Sequence, residues 1–440
     1  MQNLLSKIRD QSAVIGIIGQ GYVGLPLAMA FAKKFTVTGY DVCSGTVEHL
    51  RVGKSHIQDV TDEQLSRFLG KTYSPTADPE DLRRCDLLII CVPTPLSEDK
   101  IPDLSYIKSA CTTINTVLHP GQFVILESTT YPGTTDEVVV PILEETGLVA
   151  GSDFGVAYSP ERVDPGNKKF PIDKVPTVVG GINAECTEVA AALYGSVMDQ
   201  IVPVRDARTA EAVKMVENVF RNVNIALVNE IALIFERMGI DTWEVIDAAA
   251  TKPYGFMPFY PGPGIGGHCI PLDPYYMSYR AKKYGFIPRF IETSGEINEF
   301  MKMHVVNLAE RGLRQVGKRL YGAKVVVMGL AYKKNINDPR ESPAIKIIEE
   351  LANLGADVRV YDPFVPSLAT KAGVFASVGS VEEALSGAEC AIFLVDHDVF
   401  RGISVETVKG LMASPVVVDG KNLFAGGEGI VYLGIGKGLV

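Results

Sequence analysis

Apolar positions along the first two hundred residues cluster in short unbroken runs instead of alternating with polar ones. Ala13–Ile18, Phe35–Tyr40, Cys85–Val92 and Phe123–Leu126 are such runs, and Thr177–Gly180 follows in the same style. Strands covered on both faces read this way, because neither face meets water. Between them lie helical patterns such as Leu25 to Lys34. From Arg208 to about Arg237 the helical pattern continues with almost no breaker, which predicts a long central helix joining two lobes. Another helical stretch runs from about Ile291 to Lys318. The short apolar runs then return: Lys324–Met328 entering a turn at Gly329, Asp357–Asp362, Ala391–Val395 and Val416–Asp419. The pattern predicts the α/β class, with two Rossmann-like parallel-sheet domains joined by a long central helix. The expected divisions are a first Rossmann-like domain over 1–205, a helical domain over 206–305 and a second Rossmann-like domain over 306–440.

The turn chemistry sharpens the first half. Strand Ala13–Ile18 runs into Gly19-Gln20-Gly21-Tyr22-Val23-Gly24, a helix follows, and the next strand ends in Asp41, 20 residues after Gly21. Strand, glycine fingerprint, helix, strand and terminal acid together form the dinucleotide signature. Gly19, Gly21 and Gly24 permit the turn and a close approach of a pyrophosphate, with Tyr22 and Val23 on the same turn, and the helix N-terminus faces its charge. Asp41 suits the ribose hydroxyls and repels a 2′-phosphate, so NAD is expected over NADP. Thr94, Thr129 and Glu127 stand just past strand C-termini, where open α/β sheets bind ligands, although the hydroxyls also fit helix caps. Ser159–Gly166, with Glu161 and Arg162, is a further polar, turn-rich loop.

On the long helix, Lys214 and Asn218 share a face, while Glu211 and Glu217 read as charge balance. Asn218 stands in an apolar neighbourhood of Val216, Val219 and Phe220. The densest chemistry is Gly262-Pro-Gly-Ile-Gly-Gly-His-Cys-Ile-Pro-Leu-Asp273, a glycine- and proline-rich loop that cannot be ordinary helix or strand. Within it, Gly266 and Gly267 precede Cys269, and Asp273 lies four residues further on. A thiol beside glycine N–H groups and a carboxylate reads either as a covalent nucleophile or as a structural cysteine. Upstream aromatics, Tyr260 among them, suit stacking on a ring or a subunit interface. The second glycine turn lacks the full fingerprint and should hold something other than NAD; Lys333 and Arg340 suit phosphate neutralisation there.

Composition narrows the partners. Among 440 residues, 52 acids against 42 Lys and Arg give a formal net charge of −10, which argues against general affinity for nucleic acid or an anionic membrane. The seven cysteines are scattered, with no paired spacing, so neither a disulfide framework nor a metal site is expected. The amphipathic opening MQNLLSKIRD is too short for a signal peptide, and no apolar run spans a bilayer, so a cytoplasmic location is expected.

Taken together, these residues resemble the nucleotide-sugar 6-dehydrogenases, the family of UDP-glucose, UDP-N-acetylhexosamine and GDP-mannose dehydrogenases. The likeness covers nearly the whole chain and is most specific at Glu211–Asn218, at Gly266-Gly267-His268-Cys269 with Asp273, and at Gly329–Pro343. It implies a UDP-sugar substrate, a homodimer or larger homo-oligomer, and a four-electron oxidation at the sugar C6. In that scheme Cys269 is the nucleophile that forms a thiohemiacetal and then a thioester, Lys214 stabilises the oxyanion, and Asn218 and Asp273 hold a water that Thr129 also contacts. Glu161 matches an acid that helps deprotonate that water. A second family acid falls at Pro165, with Asp164 beside it. Lys252 lies near where a basic residue reaches a neighbouring active site. Within the family, the segments around Pro258 and Cys269 are most similar to those of bacterial enzymes acting on UDP-N-acetylglucosamine, and Leu272 departs from the lysine of the UDP-glucose group. UDP-N-acetylglucosamine is therefore the expected substrate, with UDP-N-acetylmannosamine, UDP-N-acetylgalactosamine and UDP-glucose as alternatives. A non-catalytic NAD scaffold would need no Cys269 or Lys214, and a two-electron hydroxyacid-type dehydrogenase would lack both the cysteine and the second nucleotide domain.

Overall fold

A computed structural model describes the chain except residues 58, 98, 163–170, 268 and 439–440. The chain divides into two compact units, Met1–Glu217 with Tyr275–Phe286, and Asn218–Pro274 with Ile287–Val440.

The first unit is built on an eight-stranded sheet. Its strands are β1 (Val14–Ile18), β2 (Thr36–Tyr40), β3 (Tyr73–Thr76), β4 (Leu87–Ile90), β5 (Phe123–Leu126), β6 (Gly155–Tyr158), β7 (Thr177–Gly181) and β8 (Ile201–Pro203). They lie in the order β3-β2-β1-β4-β5-β6-β7-β8. Every residue of β4, β5 and β6 is buried, which is what their unbroken apolar runs require. Strand order reverses direction between β1 and β4, the kind of switch point beyond whose C-terminal strand ends open α/β sheets bind ligands. The expected parallel sheet holds through β6, but β7 runs antiparallel to β6, so the sheet is mixed at that edge. The helix after the glycine turn, Gly24–Phe31, is shorter than its apolar pattern.

The second unit carries a five-stranded parallel sheet. Its strands are β9 (Lys324–Met328), β10 (Asp357–Tyr361), β13 (Cys390–Phe393), β14 (Val416–Asp419) and β15 (Val431–Gly434), in the order β10-β9-β13-β14-β15. A small antiparallel hairpin, β11 (Ser367–Thr370) with β12 (Gly373–Ala376), was not expected. Helix Arg289–Gln315 buries Val305, Val306, Leu308, Ala309 and Leu313, and helix Pro343–Asn353 buries Ile347, Ile348 and Leu351.

The long helix is observed as Ala207–Met238, 32 residues without a break, and it carries the chain from one unit into the other between Glu217 and Asn218. Among the described residues, no helix is long and apolar enough to cross a membrane.

Candidate active site

The dinucleotide turn in the first unit has the form its glycines require. Gly19 has φ +94°, and a Cβ there would stand 2.4 Å from the Cys91 carbonyl oxygen; a Cβ on Gly24 would stand 1.8 Å from the Gly19 oxygen. Around Gly21, by contrast, a Cβ would meet nothing within 4 Å, which leaves an open approach for a pyrophosphate. Asp41 is bound to this turn: its Oδ2 accepts from Gln20 N at 2.8 Å and its Oδ1 from Cys43 N at 2.9 Å. Tyr22 is exposed and Val23 half-buried beside it. These features fit NAD, with the carboxylate held where ribose hydroxyls would arrive. Asp41→Ala should weaken NAD binding by about tenfold and narrow its preference over NADP, because an acceptor and a repulsive charge are both lost. Titration of each cofactor checks this, with Asp41→Asn as a control that keeps the side chain's shape; two unchanged affinities would move the ribose elsewhere.

Past the ends of β4, β5 and β6, the first unit gathers further expected residues. Ser128, not Thr129, stitches the strand ends together, accepting from Val92 N at 2.9 Å and donating to Ile90 O at 3.2 Å, while Thr129 stands half-buried next to it. Thr94 contributes its carbonyl to Tyr276 Oη. Lys214 and Glu161 come together in the interior: the Lys214 ammonium donates to the Glu161 carbonyl and lies 3.2 Å from its Oε2. Arg162, expected at the substrate, forks onto Glu217, at 2.5 and 3.3 Å, and donates to the Pro176 carbonyl. Glu217 therefore anchors a loop, which is more than the charge balance read from the sequence. The same correction applies to Glu211. It is fully buried and accepts from Gly133 N, Thr135 N and Thr135 Oγ1 at 2.5, 2.8 and 2.7 Å, clamping the segment that follows Thr129.

Two buried acids in this unit carry a measurable consequence. Burial pushes Glu127 up to about 8, with Tyr194 Oη donating to its Oε2 at 2.6 Å. Burial likewise pushes Glu211 up to about 7, against the pull of its three donors. Each folded carboxyl keeps a proton that the unfolded chain has already released above its ordinary pKa. Stability from these groups is thus fully present below the ordinary glutamate pKa of 4.5 and is lost steadily as pH rises from there through 7 to 8. Melting temperature should decline from pH 5.5 to 8.5, and Glu127→Gln should flatten that slope; a slope identical to wild type would mean Glu127 is ionised in the folded protein.

The second unit holds the cysteine loop by a row of asparagines on the long helix. Asn222 Nδ2 donates to the Ile270 carbonyl at 3.0 Å and is itself fixed by Ser294 Oγ at 2.7 Å and by Asn298. Asn229 Oδ1 accepts from Gly262 N at 3.0 Å, and its Nδ2 donates to Asn298. Cys269 starts a turn whose carbonyl accepts from Asp273 N at 2.8 Å, and helix Asp273–Lys283 begins there. Asp273 is buried and accepts from Asn218 Nδ2 at 2.5 Å, while Arg221 donates to Asn218 Oδ1. Close packing explains the paired glycines: a Cβ on Gly266 would stand 2.7 Å from Tyr332 Cβ, and one on Gly267 would stand 2.9 Å from the Tyr332 ring. Of the seven free cysteines, five are buried and Cys43 is exposed; Cys269 alone is half-buried.

Other expected site residues have partners within the chain. Tyr260 stacks on Trp243 and donates to Asp247 at 2.7 Å, and Lys252 lies over the Tyr254 ring on the surface. Arg340 grips Asp338 at 2.8 and 2.9 Å, while Lys333 is half-buried nearby on the same loop. Asp164 and His268 lie outside the described residues. Asn222, Asn229, Ser294 and Asn298 went unread; their signal is a set of polar residues at four- and seven-residue spacings on otherwise apolar helix faces.

With this geometry in view, residues 13–198 match the NAD binding domain, 208–300 the central domain and 326–426 the UDP binding domain of the UDP-glucose/GDP-mannose dehydrogenase family. The chain is 39% identical over 413 residues to a UDP-N-acetyl-D-glucosamine 6-dehydrogenase of Pseudomonas aeruginosa, covering 93% of this chain and 96% of that protein. It is 36% identical over 429 residues to a UDP-N-acetyl-D-mannosamine dehydrogenase of Pyrococcus horikoshii, covering 96% and 99%. A solved UDP-D-ManNAc dehydrogenase structure from Pyrococcus horikoshii superposes with a TM-score of 0.90 at 36% identity, over 97% of this chain and 99% of that one.

Proposed function

Because this chain belongs to the UDP-glucose/GDP-mannose dehydrogenase family, we propose that it carries out the four-electron oxidation of UDP-N-acetylmannosamine at C6 to the uronate. NAD-dependent oxidation of a nucleotide-linked N-acetylhexosamine is the activity of its relatives and of this chain. The manno configuration is supported by the superposed structure and by several of the relatives, and it displaces the gluco sugar expected from the cysteine loop. UDP-N-acetylglucosamine is the second reading, favoured by the Pseudomonas aeruginosa relative.

One observation carries the chemistry: Cys269 is half-buried in a turn pinned by Asn222 and closed by Asp273 N. NAD held at the Gly19–Gly24 turn and Asp41 would supply hydride acceptance at C6, a first NAD for the alcohol stage and a second, after exchange of the first, for the thiohemiacetal stage. After the first, the Cys269 sulfur adds to the aldehyde carbon, and the new oxygen anion takes its compensation from the Lys214 ammonium. Loss of the second hydride leaves a thioester, which holds the sugar in place until water arrives. Asn218 and Asp273, fixed on each other, orient that water with Thr129, and Glu161 receives its proton. Hydrolysis releases the carboxylate and restores the thiol. On the diphosphate, Lys333 supplies the charge. The row Val216, Phe220, Leu227, Ile234 and Met238, exposed along one face of the long helix, supports pairing of two copies.

Steady-state kinetics with UDP-N-acetylmannosamine, its gluco and galacto epimers and UDP-glucose at saturating NAD tests this reading. The manno sugar should lead UDP-glucose in kcat/KM by at least about tenfold, roughly 1.4 kcal/mol in transition-state binding. Two NADH should appear per sugar consumed. A lead for another epimer changes only the sugar; one NADH with release of an aldehyde would sink the four-electron scheme.

A further inference from the structure

The two sheets end their second strands with matching acids used in opposite ways. Asp41, after β2, takes two backbone N–H groups and stays half-buried. Asp362, after β10, is buried and saturated. Its Oδ2 accepts from Leu330 N at 2.6 Å and Ala331 N at 3.0 Å, and its Oδ1 accepts from Phe364 N at 2.8 Å and Val365 N at 3.1 Å. A fifth contact comes from His397 Nε2, 3.0 Å from Oδ2. So occupied, Asp362 has no capacity left to read a ribose, and its work is to hold the turn after Gly329.

His397 extends that hold to the far side of the loop. The ring is fully buried, and its Nδ1 lies 2.9 Å from the backbone N of Asn335. A backbone N–H can only donate, so Nδ1 must present a lone pair; Nε2 then carries the proton that faces Asp362. The imidazole is thus a two-ended strut from a fixed carboxylate to residue 335. Asn335 sits at φ +59°, and its side chain exchanges a second pair of hydrogen bonds with Asp398, Nδ2 to Oδ2 at 2.6 Å and Asp398 N to Oδ1 at 3.2 Å. Lys333 stands two residues away on the same loop, and Tyr332, which backs Gly267, lies one further.

We propose that His397 is the positioning residue of the diphosphate loop: as a neutral imidazole it joins Asp362 to the Asn335 N–H and so fixes the backbone that presents Lys333 to the UDP phosphates. This rests on the reading above that Lys333, on the loop after Gly329, supplies the charge for the diphosphate. The strut needs one acceptor and one donor on a flat group, which an amide also supplies and a hydrocarbon does not.

The test compares His397→Leu with His397→Gln in the full-length protein, using calorimetric titration with UDP and with NAD, then steady-state kinetics. His397→Leu should weaken UDP by at least about tenfold and raise KM for the UDP-sugar accordingly. NAD affinity should be unchanged, and kcat at saturation should stay within about threefold. His397→Gln should bring UDP affinity back to within about threefold of wild type. Should the leucine variant fail to fold, nitrogen-15 imidazole spectra of the wild type take its place: the resonance absent from His397→Gln should show a protonated Nε2 and a bare Nδ1, and Nδ1 should shift on saturation with UDP. Wild-type UDP affinity in a folded leucine variant, a glutamine variant as weak as leucine, or an Nδ1 signal that ignores UDP each overturns the proposal. If the wild type itself does not bind UDP, or Lys333→Ala binds it normally, the nucleotide reading of the loop fails instead.

Discussion

Cys269→Ser should bind NAD with wild-type affinity and turn over at less than about a thousandth of the wild-type rate, a loss of roughly 4 kcal/mol in the barrier. The size follows from what the sulfur does in the proposed sequence. A thiol ionises far more readily than a hydroxyl, so the serine variant attacks the aldehyde slowly, and the ester it forms is harder to hydrolyse than a thioester. The backbone anchors of the loop should survive the change. The turn is held through the backbone, by Asp273 N on the residue 269 carbonyl and by Asn222 on the Ile270 carbonyl, and neither bond involves the sulfur. Mass spectrometry of the wild type under slow hydrolysis should show a sugar-acyl adduct on Cys269. Full activity in the serine variant, or an adduct on another cysteine, removes Cys269 from the chemistry.

The residues that could be read from the sequence are those whose role is written into local chain geometry. Gly19 sits at φ +94° and its own oxygen stands 1.8 Å from any Cβ added at Gly24, so the spacing of the two is dictated within a few residues and shows as a fingerprint. Strands β4 and β5 are buried on both faces and therefore read as continuous apolar runs. The cysteine loop is visible for the same reason, since Gly264 and Gly267 take φ of +119° and +87°. What escapes is decided by partners far along the chain. Glu211 looks like any helix acid until Gly133 and Thr135 close on it from 78 and 76 residues away. Glu217 looks like charge balance until the Arg162 guanidinium, 55 residues away, forks onto it. Asn222 and Asn229 resemble helix surface residues, while their hydrogen bonds to Ile270 and Gly262 hold the loop in place. The reversed direction of β7 is equally invisible, because an apolar strand carries no mark of its neighbour's polarity.

Lys214→Met should lower kcat/KM by about a hundred- to a thousandfold, the loss found when one preorganised oxyanion donor is removed, roughly 3–4 kcal/mol. It should also destabilise the fold. Lys214 is 4% exposed, and its ammonium donates to the Glu161 carbonyl while facing the Glu161 carboxylate at 3.2 Å. Removing one partner of a buried pair strands the other charge, which costs on the order of 3–5 kcal/mol. The two losses separate in the double variant Lys214→Met/Glu161→Gln, where no buried charge is left over. Melting temperature should recover most of the way, because the stranded carboxylate is gone. Activity should not recover, because the oxyanion still lacks its cation and the water lacks its proton acceptor. NAD titration across the set should stay flat, which shows that the dinucleotide turn is undisturbed. A double variant that regains turnover along with its fold would mean the ammonium serves only to neutralise Glu161, and both residues would leave the mechanism.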